Sequence, residues 1–490
     1  MARQEFQTIE ATIEDIQAAF RARTLSARDL VQRYLDRIAA FDKKGPAINS
    51  IITVNSSALE DADRLDKLMQ ASGPVGPLHG IPVLIKDQID ARGTPTTLGA
   101  VPMKDYYPDR DAFIVDRMRK AGAIVLAKTT LGELGGGDTH GTLFGSTRNP
   151  YSLERTAGGS SGGSGAAISS NFGAIALGQE GFSSIRRPAA WNGVVGMRAS
   201  GGMVSRAGSA CGWPGLAGSL GPLTRTVGDA ARVLDVIAGY DPEDPLSALG
   251  VGHKPQSFTE FLDKNGLRGA RIGVIRESMG KLSEPDSEDF GKVTQVFERA
   301  VRELRDAGAV LVDPVAIPQV RELLARRQSG DRGGWEAAWD DYYGRSARRP
   351  FATMKQLLDL PGYKPMGSVK SAAPAPGYDH VLASEQLLFN LLKLMADHGL
   401  DAIVHKSVEH QPTLIRDGVQ PPFVSSKGVI HINTFACFVP SISVPAGFTG
   451  DGLPAGITFL GRPYTDGLML KLAYAYEQAT RHRRVPDSTS

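Results

Sequence analysis

Apolar and polar positions repeat along this chain with periods that predict a succession of helices and strands. Residues 26–41, SARDLVQRYLDRIAAF, place leucine, tyrosine and isoleucine on one helical face. Ser26 stands at the N-cap position of that helix, with Asp29 three residues later. Short apolar runs such as INSIITVN and IPVLI are typical of buried strands, and ALEDADRLDKLMQA between them predicts a second helix.

The same alternation continues through the rest of the chain. RDAFIVDRMRKAGAIVLAKTT predicts a helix and then a strand, and RIGVIRE, SEDFGKVTQVFERAVRELRDAGA and VLVDPV predict strand, helix and strand. This order favours an α/β fold with a large mixed, mostly parallel central sheet that helices cover on both faces. The length and ordinary soluble composition allow one large α/β domain with insertions or two domains, and we expect residues 1–490 to form a single one.

Residues 316–380 depart from this pattern and are rich in Arg, Trp and Tyr. Trp335 and Trp339 stand four residues apart, on one face of a predicted helix. We interpret the segment as a helical insert that buries its aromatic side chains. A second interpretation, compatible with the first, is a lid over the active site.

Composition excludes several classes of protein. The chain is 41% hydrophobic and 22% charged with a formal net charge of +2, and without basic runs it does not indicate a nucleic-acid partner. The N-terminal MARQEFQTIEA lacks an apolar signal region, and no apolar run is long enough for a membrane span. The two cysteines, Cys211 and Cys437, indicate no disulfide framework, so we expect a cytoplasmic protein.

The candidate chemistry is concentrated in residues 155–200, where glycine and serine cluster in two turns. GGSSGGSG, from residue 158, precedes a predicted helix, whose first turn its serines are expected to cap. GFSSIRRP, residues 181–188, follows the predicted buried strand AIALG. A loop in this place can aim successive backbone N–H groups at one point, so we predict an anion hole with Ser184 as the nucleophile beside it.

Two lysines end apolar strands and are candidates for a general base. Lys86 follows IPVLI, and Lys128 follows AGAIVLA. Burial disfavours the charged form of a lysine, which suits a base near neutral pH. The spacing does not choose between them, and a structural pairing of Lys86 with Asp87 or Asp90 is equally compatible with the residues.

Other readings of the glycine-rich turn are weaker. GSSGG matches the G-x-S-x-G pattern of α/β-hydrolases and would make Ser161 the nucleophile, but no apolar strand precedes it. The histidines that such an enzyme requires, among them His405, His410 and His431, have no distinctive context. The turn also lacks a phosphate-loop lysine, and no metal-ligand spacing occurs, so neither a metal nor another cofactor is expected.

The two turns and the lysine strand together resemble the amidase signature family. GGSSGGS, the later SSIRRPAAWNGVVGMR and GIPVLIKDQID match its motifs, and the likeness covers most of the chain outside about 316–380. The resemblance implies a Ser–cis-Ser–Lys triad of Ser184 as nucleophile, Ser160 after a cis peptide, and Lys86. It also implies an oxyanion hole, for which we predict the backbone of Gly181, Phe182, Ser183 and Ser184.

The resemblance implies an enzyme, an amidohydrolase acting on linear amides. Phe182 and Ser183 stand where the family has two glycines, so we predict uncharged amides with aryl or bulky groups, and carbamates, as small-molecule substrates. The alternative is a glutamine-hydrolysing amidotransferase A-type subunit that acts with partner subunits. AGSLGP, residues 217–222, is shorter than the corresponding stretch of those subunits, which favours the amidase.

Residues 201–218, GGMVSRAGSACGWPGLAG, follow the signature directly. Their glycine content predicts a mobile loop beside the active site, with Arg206 and Trp213 as substrate contacts. A rigid series of turns is the other interpretation. Trp213 and Phe182, with the tryptophans of the insert, would form an aromatic wall for a flat substrate group.

Overall fold

The computed structural model of the chain describes residues 6–210, 218–327, 335–366, 378–430, 432 and 439–490. Trp213, Cys211, Cys437 and His431 lie outside the described residues. Among the described helices, none is long and apolar enough to cross a membrane.

The predicted helices occur with bounds close to those that the periodicity gives. The helices are α1 Ile13–Arg21, α2 Ala27–Phe41, α3 Ala58–Ser72, α4 Phe113–Lys120, α5 Gly162–Ser169, α6 Arg186–Trp191, α7 Val227–Ile237, α8 Glu288–Asp306, α9 Val320–Arg327, α10 Trp335–Tyr343, α11 Met354–Leu358, α12 Tyr378–Asp397, α13 Ile415–Val419 and α14 Asp466–Thr480. The Ser26 side chain accepts a hydrogen bond from the Asp29 N–H, which confirms the predicted cap of α2.

The strands include every apolar run singled out above. They are β1 Ile51–Val54, β2 Pro82–Lys86, β3 Ile124–Thr129, β4 His140–Gly141, β5 Gly145–Ser146, β6 Arg148–Asn149, β7 Ser152–Thr156, β8 Ile175–Glu180, β9 Val195–Arg198, β10 Ser219–Thr224, β11 Arg271–Ile275, β12 Gly280–Lys281, β13 Val310–Val315, β14 Ala402–Lys406, β15 Val429–Ile430, β16 Ser441–Phe448 and β17 Pro454–Leu460.

Eleven of these strands form one sheet in the order β1-β3-β2-β8-β10-β9-β16-β17-β14-β11-β13. The pairs β3–β2, β2–β8, β14–β11 and β11–β13 are parallel, and the other neighbours are antiparallel. The mixed sheet and its surrounding helices confirm the α/β prediction, but the expectation of a mostly parallel sheet is wrong. Antiparallel neighbours can be joined by a short hairpin, as β16 and β17 are.

The parallel pair β2–β8 determines where the polar residues of the sheet meet. Ile85 lies opposite Leu177, so both strands run the same way and end at the same edge. Lys86 is the last residue of β2, and Glu180 is the last residue of β8. The second glycine-serine turn follows Glu180 at this edge. The first turn, which precedes α5, reaches the same edge through the contact of Ser160 with Lys86.

The insert has the predicted helices and buries aromatic residues. Trp339 of α10 is buried in a cluster with Tyr342, Tyr343 and Tyr106, and its indole N–H donates to the Phe351 carbonyl at 3.1 Å. Tyr106 belongs to the segment between β2 and α4, so the insert packs directly on the main body. Trp335 begins α10, but its side chain lies outside the described residues.

Truncation of a side chain in β2 tests how firmly this strand is packed. Leu84 is fully buried and lies under Gly173, where an added Cβ would stand 2.8 Å from the leucine side chain. Leu84→Ala is expected to lower the free energy of unfolding by about 2–5 kcal/mol, because it removes transfer energy and leaves a cavity. Unfolding in urea measures the change. Val54→Ala, at an exposed position of β1, is the matched control and should change it by less than about 0.5 kcal/mol. Equal losses in the two variants would contradict this account of the core.

Candidate active site

The first glycine-rich turn places Ser160 against the end of β2. The peptide bond between Gly159 and Ser160 is cis, as the resemblance implies. The Lys86 amino group donates to Ser160 Oγ at 2.7 Å and to the Gln179 carbonyl at 3.3 Å. Lys86 and Ser160 are both fully buried. The structure therefore brings together the lysine and one of the serines that the sequence predicts.

Glycine is required in this turn because its backbone touches neighbouring segments. A Cβ added at Gly159 would lie 2.4 Å from the Gly137 carbonyl oxygen. One added at Gly163 would lie 2.3 Å from Thr130 Oγ1. Real Cβ atoms do not approach so closely, so a side chain at either position would push the turn away from the edge of the sheet.

The start of α5 differs from the prediction. Ser161 precedes the helix, but its side chain does not cap the first turn. Its hydroxyl donates instead to the Gln179 carbonyl at 3.2 Å, and the Gly162 N–H donates to Thr139 Oγ1 at 3.0 Å. The cap is supplied by a residue distant in sequence, because the Ser161 hydroxyl is used to join the turn to β8.

The second turn brings Ser184 next to the first one. Ser184 is half-buried, between the end of β8 and the start of α6. Its carbonyl accepts a hydrogen bond from the Ser161 N–H at 3.1 Å. Within the described part of the chain, no hydrogen bond joins Ser184 Oγ to Ser160 Oγ. The backbone contact nevertheless fixes Ser184 beside the Lys86–Ser160 pair.

A buried carboxylate shapes this second turn. Glu180 Oε2 accepts hydrogen bonds from the N–H groups of Ile185 and Arg186, at 2.9 and 3.0 Å. Its Oε1 accepts from Arg186 Nε at 2.7 Å and lies 3.8 Å from Arg198 Nε. Burial alone would raise the pKa of Glu180, but the two guanidinium groups and the N–H donors hold it below its ordinary value. The loop that carries Ser184 therefore folds around the charged carboxylate of Glu180.

The N–H groups predicted for the oxyanion hole lie at the tip of this loop. In the residues that the structure describes, those of Ser183 and Ser184 donate to no other group. The Ser183 side chain is buried, and its hydroxyl has no hydrogen-bond partner among the described residues. Phe182 is partly exposed and Gly181 is buried.

Arg187 is a second buried ionic group that supports the site. Its guanidinium donates to the Gly159 carbonyl at 2.7 and 2.9 Å and forms an ion pair with Asp138 at 2.7 Å. It therefore binds the residue that precedes Ser160. Sequence reasoning identified neither Arg187 nor Glu180. The available signal was the presence of charged residues inside a segment otherwise made of small and apolar ones.

The rival lysine has a different environment. Lys128 donates to the Pro95 carbonyl at 3.0 Å and lies 3.8 Å from Asp87 Oδ1. Burial lowers the pKa of Lys128 and raises that of Asp87. Lys86, and not Lys128, contacts a serine of the signature.

Of the predicted substrate-contact residues, Phe182 and Arg206 lie within the described part of the chain and Trp213 does not. Arg206 forms a two-point ion pair with Asp244, at 2.7 and 3.0 Å. Residues 201–210, the first part of the loop, are mostly buried, and the Ala210 N–H donates to the Gln88 carbonyl at 2.7 Å. These contacts anchor the first part of the loop close to Lys86, while residues 211–217 lie outside the described ones.

The described histidines do not form a catalytic pair with Ser161. His405 is fully buried, with Nδ1 2.6 Å from the Lys406 carbonyl oxygen, and burial lowers its pKa to about 3. His410 lies 3.5 Å from Asp289. In the described ranges, no cluster of His, Cys, Asp and Glu is placed to hold a metal ion.

Comparison with known proteins places this geometry among amide-processing enzymes. The profile of the Amidase family matches residues 29–470. The A subunit of the glutamyl-tRNA(Gln) amidotransferase from Methanosarcina barkeri is 32% identical over 489 residues, which cover 94% of this chain and 96% of that protein.

Two solved structures bear on the type of enzyme. The native peptide amidase from Stenotrophomonas maltophilia superposes with a TM-score of 0.87 and 32% identity, over 99% of this chain and 100% of that one. A bacterial aryl acylamidase of the amidase signature family superposes with a TM-score of 0.74 and 25% identity, over 98% of both chains.

The ionic centre of the second turn can be tested through stability. Glu180→Gln leaves Arg186 and Arg198 buried without their carboxylate, so we expect a loss of about 3–5 kcal/mol in the free energy of unfolding at pH 7. Because the folded-state pKa of Glu180 is lowered, its contribution is complete above its ordinary pKa and is lost as the pH falls through the folded-state value. The difference between wild type and variant should therefore shrink in acid.

Urea unfolding at pH 7 and at several more acidic pH values measures this difference. Glu154→Gln, at an exposed position of β7, is the control and should lie within about 0.5 kcal/mol of wild type throughout. A Glu180→Gln effect as small as that of the control would show that the carboxylate does not hold the turn.

Proposed function

The chain belongs to the amidase signature family and is an amidohydrolase, and we propose that it hydrolyses uncharged amides through an acyl-enzyme on Ser184. The observation that carries this proposal is the 2.7 Å contact between the buried Lys86 amino group and Ser160 Oγ. It lies at the sheet edge where the loop of Ser184 begins.

In this proposal Lys86 acts as the base. This role requires the uncharged amine of Lys86, whose side chain is fully buried. The 2.7 Å between Lys86 Nζ and Ser160 Oγ also fits a hydrogen bond in which the Ser160 hydroxyl donates to an uncharged amine. Ser160 then passes its proton to Lys86 and takes one from Ser184, whose oxygen attacks the acyl carbon. This step requires the Ser184 hydroxyl to turn toward Ser160.

The negative charge that develops on the acyl oxygen needs donors that are fixed in advance. We assign this role to the backbone of residues 181–184, and above all to the N–H groups of Ser183 and Ser184, which no described residue occupies. The carboxylate of Glu180 supports the assignment, because it accepts the next two N–H groups and so fixes the curvature of the loop.

The second half of the reaction reverses the first. The proton held by Lys86 returns through Ser160 to the departing amine nitrogen, so the C–N bond breaks with a neutral leaving group. A water molecule, deprotonated by the same relay, then attacks the ester carbon. The acyl–oxygen bond breaks, and Ser184 recovers its proton.

For the substrate we propose uncharged amides with an aryl or bulky group, and carbamates with the same acyl geometry. Phe182 is partly exposed next to the nucleophile, where the family has glycine. An aromatic ring at this place favours flat apolar groups. The likeness to an aryl acylamidase agrees with this preference, and the likeness to a peptide amidase agrees with a free-standing amidase.

The second candidate is a glutamine-hydrolysing subunit that works with partner subunits. It is favoured by the relatedness to the amidotransferase subunit from Methanosarcina barkeri, whose identity to this chain equals that of the peptide amidase. Overall identity therefore does not separate the two functions. The shortened AGSLGP stretch and the aromatic Phe182 favour the amidase.

Substitution of the triad tests the mechanism. Ser184→Ala and Lys86→Ala should each lower kcat for an anilide by at least about 10³-fold, because each removes a group that takes part in bond making or proton transfer. Release of the aniline measures turnover, and mass spectrometry of quenched reactions should find an acyl adduct on wild type and none on Ser184→Ala. Ser56→Ala, at an exposed position, is the control and should retain wild-type kcat. Near-normal turnover by either triad variant would overturn the assignment.

A substrate panel on the purified chain tests the specificity. An anilide and an aryl carbamate should have a kcat/KM at least tenfold above those of an aliphatic amide and glutamine, about 1.4 kcal/mol in transition-state binding. Phe182→Gly should reduce this preference and leave the aliphatic amide nearly unchanged. A tenfold preference of wild type for glutamine would reject the aromatic site, and glutamine hydrolysis that appears only with a co-purified partner would favour the amidotransferase.

A further inference from the structure

Two buried carboxylates join the helical insert to the main body, one on each side of the Lys86–Ser160 pair. Asp90 lies on the segment that follows Lys86, and Glu133 follows Gly132, whose N–H donates to the Ser160 carbonyl at 3.0 Å. Each carboxylate accepts a hydrogen bond from a tyrosine of the insert. The insert thus contacts the segment that follows Lys86 and the segment whose Gly132 donates to Ser160.

The contact at Asp90 is made by α10. Tyr342 donates its hydroxyl to Asp90 Oδ1 at 2.6 Å, and both side chains are buried. Thr96 donates to the same oxygen at 2.7 Å, and the Lys128 amino group donates to Thr96 Oγ1 at 3.3 Å. Burial raises the pKa of Asp90 to about 7, while these donors and the charge of Lys128 act in the opposite direction. Tyr342 is therefore one of the few groups that compensate the burial of this carboxylate.

The backbone of Asp90 is held as well. Its N–H donates to the Gly208 carbonyl at 2.9 Å, and its carbonyl accepts from the Ala112 N–H at 3.0 Å. Tyr342 adds a side-chain contact to these two backbone contacts. Only residues 87–89 separate Asp90 from Lys86, so the contact with Tyr342 restrains the segment that begins at the lysine.

The contact at Glu133 is made by the other end of the described insert. Tyr363 donates its hydroxyl to Glu133 Oε1 at 2.9 Å, and the Met366 N–H donates to Oε2 at 2.5 Å. On the body side, the Thr142 hydroxyl donates to Oε1 at 2.5 Å. The carboxylate thus connects the insert to the 3₁₀ turn from which Gly132 reaches Ser160.

We propose that the insert is a positioning element of the active site, in which Tyr342 and Tyr363 hold, through Asp90 and Glu133, the segments that carry Lys86 and support Ser160. Neither tyrosine takes part in the chemistry. The relay depends on a hydrogen bond of 2.7 Å, and displacement of a catalytic group by about 1 Å can cost about 10²-fold in rate. The inference rests on the proposed serine–lysine mechanism and adds residues that lie outside its motifs.

Tyrosine-to-phenylalanine variants test this proposal, since they remove one hydroxyl and keep the ring. Tyr342→Phe and Tyr363→Phe should each lower kcat for an anilide by about tenfold and leave KM within about twofold, because a displaced base slows the chemical step without changing the acyl pocket. The single-turnover rate of acylation should fall by the same factor as kcat. The double variant should be slower than either single one.

Arg345→Met is the matched control. Arg345 also joins the insert to the body, by donating to the Glu243 carbonyl at 2.6 Å, but it contacts neither carboxylate. If activity requires only that the insert is joined to the main body, Tyr342→Phe, Tyr363→Phe and Arg345→Met should lower kcat by similar factors. If the tyrosines position the relay, Arg345→Met should keep wild-type kcat. Assays well below the unfolding temperature of each variant, measured in parallel, separate rate effects from unfolding.

The proposal is overturned if the tyrosine variants match Arg345→Met in kcat, or if their defect lies in KM alone. Its failure is distinguishable from that of the mechanism by Ser184→Ala. Full activity of Ser184→Ala rejects the triad itself, whereas an inactive Ser184→Ala beside fully active tyrosine variants rejects only the positioning role.

Discussion

A lysine amino group with no access to water is the constraint on which the site depends. Lys86 ends a buried strand, and its donors must be satisfied inside the protein because an unpaired buried amine is costly. Its partners include Ser160 Oγ and the Gln179 carbonyl, which come from the glycine-rich turn and from the neighbouring strand β8. Both must approach to within hydrogen-bond distance of one atom. This requirement explains the glycines of the turn, where a side chain at Gly159 or Gly163 would collide with backbone or Thr130.

The turns that carry the serines have little apolar surface, and buried ion pairs take the place of a hydrophobic core. Glu180 binds Arg186 and the loop N–H groups on one side, and Arg187 binds Asp138 and the Gly159 carbonyl on the other. Buried ion pairs of this kind add less to net stability than their contacts suggest. They do specify geometry, since each charged group accepts only one arrangement of its donors or acceptors. The loop of Ser184 is therefore fixed by directional bonds.

This chain belongs to the amidase family and shares the fold of a peptide amidase. Phe182 and Ser183 precede Ser184, and Tyr342 and Tyr363 of the insert donate to carboxylates on segments next to Lys86 and Ser160. A mechanism can be inherited with the motifs, whereas specificity depends on residues that surround them and vary. Equal identity to an amidotransferase subunit and to a peptide amidase is consistent with this division.

The sequence by itself determined the local features of the protein. The helix and strand periods, the Ser26 cap, the glycine-serine turns and the candidate Ser184 all depend on neighbours within a few residues, and the family motifs implied Lys86 and Ser160. Tertiary structure decided what depends on strand order: that Lys86 and not Lys128 meets Ser160, that antiparallel pairs outnumber parallel ones, and that Ser161 bonds to β8 and leaves the helix cap to Thr139. The roles of Glu180, Arg187 and Asp90 also appeared only there. Their hydrogen-bond partners are distant in sequence or are brought close by a turn. The local pattern of polar and apolar residues therefore does not predict which donor each buried charged group will contact.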